Sequence, residues 1–104
     1  MTEGRSIRWV TLDKRRPAVI LTREAVLSVR RQVTVAPITS RVRGLSVEVP
    51  VGKDQGLDHD SVVNADNVQT VPVEALGPFI GMLTPLQERL LARAIRNAFD
   101  LERD

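Results

Sequence analysis

Apolar positions along this chain fall into short runs whose period changes once, near residue 84. In residues 6–12, Ile7, Trp9 and Thr11 alternate with Arg8 and Val10, the period of a half-buried strand. Residues 17–21, Pro-Ala-Val-Ile-Leu, are continuously apolar and predict a second strand. Residues 22–27 predict one helical turn with Thr22 as its N-cap. Residues 31–38 are rich in β-formers, with Pro37 at the end, where a missing N–H matters least. Residues 41–44 read as a loop, and in 45–49 Leu45, Val47 and Val49 alternate against Ser46 and Glu48 as a strand. Residues 50–60, with Gly52 and Gly56, are turn material; 61–65, 68–71 and 79–83 are further short strands. Many short strands at close spacing predict a small barrel or rolled sheet.

From residue 84 the period is helical. Thr84-Pro85-Leu86-Gln87 combines an N-cap, a proline at the first helical position and a capping-box glutamine. Leu86, Leu90, Leu91, Ala94, Ile95 and Ala98 then recur on one face, and Arg89, Arg93 and Arg96 line the other. That arginine row reads as an ordinary solvated face in preference to an RNA contact.

Composition narrows the class. At 104 residues the chain reads as one small domain, 1–104. Such a chain buries only about 60–70% of its unfolded surface, so it gains from dimerising. It has no cysteine and one histidine, which excludes disulfides and makes a thiolate or His-rich metal site untenable. No apolar run reaches the roughly 18 residues of a membrane span, and Met1-Thr2-Glu3-Gly4-Arg5 does not read as a signal peptide. The expectation is a soluble, cytoplasmic protein with no membrane contact and no cofactor.

The net charge of +2 hides an asymmetry. Residues 1–53 hold eleven Lys and Arg against four acids, a balance of +7, and residues 54–104 carry −5. A basic half suits a polyanionic partner, but a solvated face explains it equally well. The charge gathers at two places. Lys14, Arg15 and Arg16 follow one strand and stop at Pro17; Thr39, Ser40, Arg41 and Arg43 follow another. Cations and hydroxyls at two strand ends are the groups that hold a phosphate.

Each candidate has a plainer reading. Pro17 restricts Arg16 to extended geometry, which gives either a rigid guanidinium fork or a surface arginine before an edge strand. Thr39 and Ser40 bond a phosphate oxygen or cap the turn, and local sequence favours the cap. Asp58, His59 and Asp60 lie together in a polar loop, but adjacent residues diverge and one histidine is too few for a metal centre. There is no Gly-rich phosphate loop, nucleophile elbow or carboxylate–histidine metal pattern.

Taken in order, the strings are a strand with Trp9, Arg-Pro-Ala-Val-Ile-Leu from Arg16, Val-Ala-Pro-Ile-Thr-Ser from Val35, and Val-Glu-Val-Pro from Val47. Ser-Val-Val-Asn-Ala-Asp-Asn-Val-Gln-Thr-Val from Ser61, Phe-Ile-Gly-Met-Leu-Thr from Phe79 and a closing amphipathic helix follow. Over residues 6–101 this resembles the MazF/PemK family of bacterial toxins. The resemblance implies a mainly β fold, an SH3-like small barrel of the MazF/PemK/CcdB kind with a C-terminal helix, acting as a homodimer. It implies a sequence-selective endoribonuclease, silenced by a cognate antitoxin whose tail overlaps the groove for single-stranded RNA. Cleavage is expected to be metal-independent. The ribose 2′-OH attacks the adjacent phosphate and leaves a 2′,3′-cyclic phosphate and a 5′-OH.

Carried over by position, the resemblance implies that Arg16 stabilises the charge on the phosphorane and can also donate a proton to the leaving oxygen, and that Thr39 holds a phosphate oxygen and aligns the 2′-OH. Asp66 is structural, reads RNA or serves as a base. The chain departs from many members in two places. The segment before Arg16 is short, with Asp13 as its only acid, and Gln69 stands where relatives carry a cation. Lys14, Arg15, Ser40, Arg41 and Arg43 are then expected to bind RNA beside Asp66 and Gln69. Gln69 either reads a base edge or ties its own turn to the barrel. A gyrase-inhibitor-like toxin and a noncatalytic nucleic-acid module on the same barrel are the alternatives.

Overall fold

The run at 17–21 is apolar throughout because its strand is buried on both faces. The computed structural model describes residues 4–101; residues 1–3, part of the segment read above as no signal peptide, lie outside the described residues. Seven strands are described: β1 (Ser6–Thr11), β2 (Arg15–Ile20), β3 (Gln32–Thr39), β4 (Glu48–Val51), β5 (Ser61–Asn64), β6 (Gln69–Pro72) and β7 (Leu76–Met82). A short helix α1 (Glu24–Leu27) joins β2 to β3, and α2 (Pro85–Ala98) closes the chain. The sheet runs β4-β5-β3-β2-β1-β7, with β6 paired to β3, and every pairing is antiparallel.

The curl of this sheet makes two cores. Ile7 pairs with Val19 and Val19 with Ala36, so these three share a face. With Ile38, Val49 and Val63 they form one buried cluster, to which α2 adds Leu91 and Ala94. The alternate residues Val10, Ala18, Ile20, Val33 and Val35 form a second cluster on the opposite face, flanked by Leu27 of α1. Alternation of side chains along a strand requires this division. It also corrects the reading of β1, where Ile7 and Val10 are the fully buried pair, Trp9 is half-buried and Thr11 exposed. Register shifts between β1 and β7 on either side of Arg8 add to the bend there.

β4 and β7 are the two ends of the hydrogen-bonded path. The single turn of 3-10 helix at Lys53–Gln55 packs into the seam between them. The approach is close enough to require glycine. A Cβ at Gly81 would lie 1.9 Å from the Gln55 carbonyl oxygen, and one at Gly56, with φ at +89°, would lie 2.6 Å from that of Ile80.

The Thr84 capping box forms as the sequence predicts: Thr84 Oγ1 accepts from the Gln87 amide at 3.1 Å and Gln87 Oε1 from the Thr84 amide at 2.8 Å. Gln87 Nε2 also donates to the Pro50 carbonyl at 3.1 Å, which anchors the start of α2 on β4. At the far end Asn97 Nδ2 donates to the Ser46 carbonyl at 3.3 Å. Leu91 and Ala94 are buried and Leu90, Ile95 and Ala98 pack beside them, while Leu86, in the first turn, remains exposed. Arg89, Arg93 and Arg96 are exposed. Among the described residues no helix is long and apolar enough to cross a membrane.

Three local expectations change. Thr22 does not cap α1: the residue before the helix is Arg23, without a side-chain cap, and Thr22 Oγ1 instead accepts from the Thr34 amide of β3 at 2.8 Å. The strand expected at 45–49 begins at Glu48, because the Glu48 amide donates to the Leu45 carbonyl at 3.1 Å and bends the chain there. Its buried alternation is Val47, Val49 and Val51. The strand expected at 79–83 begins at Leu76, with Gly77 close against the Trp9 backbone.

Candidate active site

Two prolines mark where the site opens. β2 and β3 pair through Ala18 with Pro37, Val19 with Ala36, and Ile20 with Val35. Pro17 and Pro37 have no N–H, so the ladder loses donors at this end. β3 then takes β5 as its partner, through Ile38 with Val63 and Thr39 with Val62. Continuing the β2–β3 register two residues beyond Ala18 and Pro37 sets Arg16 opposite Thr39. The two motifs, far apart in sequence, thus come to the same end of one strand pair. Pro37 is two residues inside β3, not at its end as expected, and it lies at this change of partner.

Arg16 does not stand free. Its Nε donates to Asp13 Oδ1 at 3.0 Å and its Nη2 to Asp13 Oδ2 at 3.2 Å, a fork-on-carboxylate pair across the β1–β2 turn. The hydrogen bond from Arg16 holds the Asp13 carboxyl down at about 2. Asp13 in turn pushes the Arg16 guanidinium above its ordinary value. A carboxylate with a lowered pKa keeps its charge below the ordinary aspartate range, and this pairing is lost as pH falls through about 2. Asp13 is mostly exposed, so the pair contributes position more than stability.

Thr39 Oγ1 accepts from the Arg41 amide at 3.1 Å. The turn is capped, as the local reading favoured, and the hydroxyl proton remains available to a ligand oxygen. The loop that follows is shaped by Glu48. Its carboxylate accepts from the amides of Arg43, Gly44 and Leu45 at 2.8–3.3 Å, around a Gly44 with φ at +73°. Arg41 and Arg43 are thereby presented on a loop tied at both ends.

Arg16, Thr39, Ser40, Arg41, Arg43 and Gln69 line one cleft of about 580 Å³. Lys14 and Arg15 do not reach it. Arg15 and Arg16 are consecutive in β2 and so address opposite faces. Arg15 stands over the Trp9 ring, its guanidinium carbon 5.0 Å from the ring centroid, and lines a second cleft of about 310 Å³ with Lys14. Arg16, Ile38, Thr39 and Ser40 line both, and form the rim between them. Asp66 lines neither cleft: it is exposed, and its amide donates to Asn64 Oδ1 at 2.9 Å. A depression of about 630 Å³ between Arg8, Arg23 and Phe79 shares no residue with the Arg16 cleft.

The sequence reading missed Asp13 as the partner of Arg16, although an acid three residues before an arginine in a tight turn signals such a pair. It also missed Glu48 as the acceptor that shapes the loop, and Asn64 and Asn67 as cleft residues. The cleft lining sets Arg16, Arg41 and Arg43 against Asp13 and Glu48, and both acids are engaged by groups of the protein. Among the described residues, no three His, Cys, Asp or Glu side chains gather where they could share a metal ion. His59 and Asp58 line the smaller cleft, without Asp60.

Comparison with known proteins gives the arrangement its context. A family model described as "PemK-like, MazF-like toxin of type II toxin-antitoxin system" matches residues 5–99. The chain is 56% identical over 98 residues to Endoribonuclease MazF3 of Mycobacterium tuberculosis, covering 94% of this chain and 95% of that protein. Its fold superposes on the structure of "Mycobacterium tuberculosis toxin MazF-mt6" with a TM-score of 0.93 at 56% identity, over 95% of this chain and 100% of that one. At 23% identity, where likeness speaks for the fold alone, a mycobacterial endoribonuclease in complex with its cognate antitoxin matches with a TM-score of 0.85 over the whole of both chains. The curled, mainly β sheet with its C-terminal helix, and the family match across the motifs of Arg16 and Thr39, agree: the chain belongs to the PemK-like, MazF-like toxins of type II toxin–antitoxin systems.

Proposed function

We propose that this MazF-like endoribonuclease cuts single-stranded RNA at selected sequences by intramolecular attack, with Arg16 and Thr39 gripping the scissile phosphate and no metal ion taking part. The observation that carries the reading is the guanidinium fork held by Asp13, lining the same two clefts as Thr39. A phosphate at that rim meets a planar charged donor and a hydroxyl donor together.

Attack by the ribose 2′-OH forms the bond from O2′ to phosphorus and breaks the bond from phosphorus to O5′. One proton leaves O2′ and one arrives at O5′, so a 2′,3′-cyclic phosphate and a 5′-OH result. Negative charge builds on the non-bridging oxygens, where Arg16 and Thr39 donate. Asp13 makes Arg16 a weaker acid, which favours an electrostatic role over proton donation to the leaving oxygen. Asp13 itself, at about 2, is a poor proton acceptor near neutral pH and acts as the positioner of Arg16. Arg41 and Arg43 attract neighbouring phosphates, and Gln69, Asn64 and Asn67 offer amides to base edges.

A cytoplasmic homodimer, silenced by a cognate antitoxin, completes the proposal. The family pairs toxin with antitoxin, and a structural neighbour is an endoribonuclease bound to one. The +7 balance of residues 1–53 suits both RNA and an acidic antitoxin segment.

The experiment is incubation of the pure protein with a long RNA in excess EDTA. Discrete fragments are expected, and their 5′ ends should accept label from polynucleotide kinase without phosphatase treatment. Activity lost in EDTA and restored by Mg²⁺ would refute the metal-free mechanism.

A further inference from the structure

Trp9 is the only tryptophan in the chain, and it is half-buried. In the β1–β2 ladder Trp9 pairs with Pro17 and Thr11 with Arg15, so Arg15 is the diagonal neighbour of Trp9 on one face. Its guanidinium carbon lies 5.0 Å from the indole centroid, a cation–π contact made by an exposed side chain. The pair lines the cleft of about 310 Å³, whose further walls include Leu57, Ile80, Lys14 and His59.

The two clefts that meet at the Arg16–Thr39 rim therefore differ in chemistry. The larger offers amides, guanidinium groups and carboxylates. The smaller offers an indole, guanidinium groups and aliphatic walls, with Lys14, polar groups and the single carboxylate of Asp58 also lining it. An unpaired nucleobase has the matching form: an apolar face that stacks on aromatic rings or guanidinium planes, and a polar edge.

We propose that the Trp9–Arg15 cleft holds the nucleobase next to the scissile phosphate, stacked on that pair. This rests on the reading that the Arg16–Thr39 rim binds an RNA phosphate. Backbone contacts in the larger cleft then set position, while the stacked base contributes to the choice of cut site.

The single tryptophan makes the test direct. One probe is a pool of random-sequence 2′-O-methyl dodecamers, which cannot be cut; the other is an abasic 2′-O-methyl dodecamer with the same phosphates. Both should bind in fluorescence anisotropy, but only the base-bearing pool should quench Trp9 emission. Arg15→Lys keeps the charge and removes the plane, so the quench should fall severalfold. Sites mapped in a long RNA should also lose selectivity at one position beside the cut. Binding without a quench, or an equal quench from the abasic probe, would overturn the base pocket and leave the RNA reading standing. Failure of both probes to bind would overturn both. Quenching by an acidic peptide, but not by the base-bearing pool, would assign the cleft to a protein partner and overturn the proposal.

Discussion

Arg16→Ala is expected to reduce cleavage by on the order of 10²–10³, the usual loss when one preorganised donor to a developing oxyanion is removed. The fold should survive, because Arg16 is half-buried at a strand end and its partner Asp13 is mostly exposed. Arg16→Lys should recover little. A lysine can place one ammonium near Asp13 or near the phosphate, but it lacks the planar fork that engages both carboxylate oxygens at 3.0 and 3.2 Å. Thr39→Ala should lose less than Arg16→Ala, and Thr39→Ser least, since the serine hydroxyl still caps the Arg41 amide and still has a proton to donate. Single-turnover rates on one mapped RNA site, with circular dichroism to confirm folding, measure the whole series. Near-normal activity of Arg16→Lys would mean that charge alone suffices at this position.

Gly81→Ala is expected to be the most damaging single methyl addition in the sheet. Its Cβ would meet the Gln55 carbonyl oxygen at 1.9 Å, and that atom belongs to backbone which cannot rotate away. The 3-10 turn at Lys53–Gln55 would have to leave the seam, which would disturb Gly56 against Ile80 as well. Overpacking of this kind costs about 3 kcal/mol. For a domain of this size that is a drop of about 10–20 °C in melting temperature. Thermal unfolding followed by circular dichroism gives the answer. Gly44→Ala is the control, because it adds a Cβ in open space and bears only the strain of φ at +73°.

The fold was legible where the period of the sequence was unambiguous. The capping box at Thr84 and the helix it starts needed only residues 84–98. Strand identity in the first half was also legible, but its partition between two faces was not. Ile7 and Val10 differ by three positions, and only a sheet buried on both sides can bury both. Glu48 misled because its alternation with Val47 and Val49 is real, whereas the turn before it depends on its own carboxylate capturing three amides.

The site shows the same limit. Arg16 and Thr39 could be singled out from their local strings and from family resemblance, but their arrival at the same end of one strand pair depends on the β2–β3 register. Lys14, Arg15 and Arg16 read as one basic cluster. All three line the smaller cleft and only Arg16 also reaches the larger, and no charge count reveals that. Asp13 belonged to the same short turn, and its role as a clamp became visible only with the geometry of the fork.

The measurement that bears most directly on the mechanism uses an RNA with one mapped cut site and a single 2′-deoxy substitution on the nucleotide whose 2′-OH would attack. In EDTA, the proposed chemistry predicts unchanged binding, no cleavage at that position, and normal cleavage of the all-ribose control to a 2′,3′-cyclic phosphate and a 5′-OH. Cleavage of the deoxy-substituted strand at the same bond would contradict it, because water would then be the nucleophile and Arg16 and Thr39 would serve a different reaction.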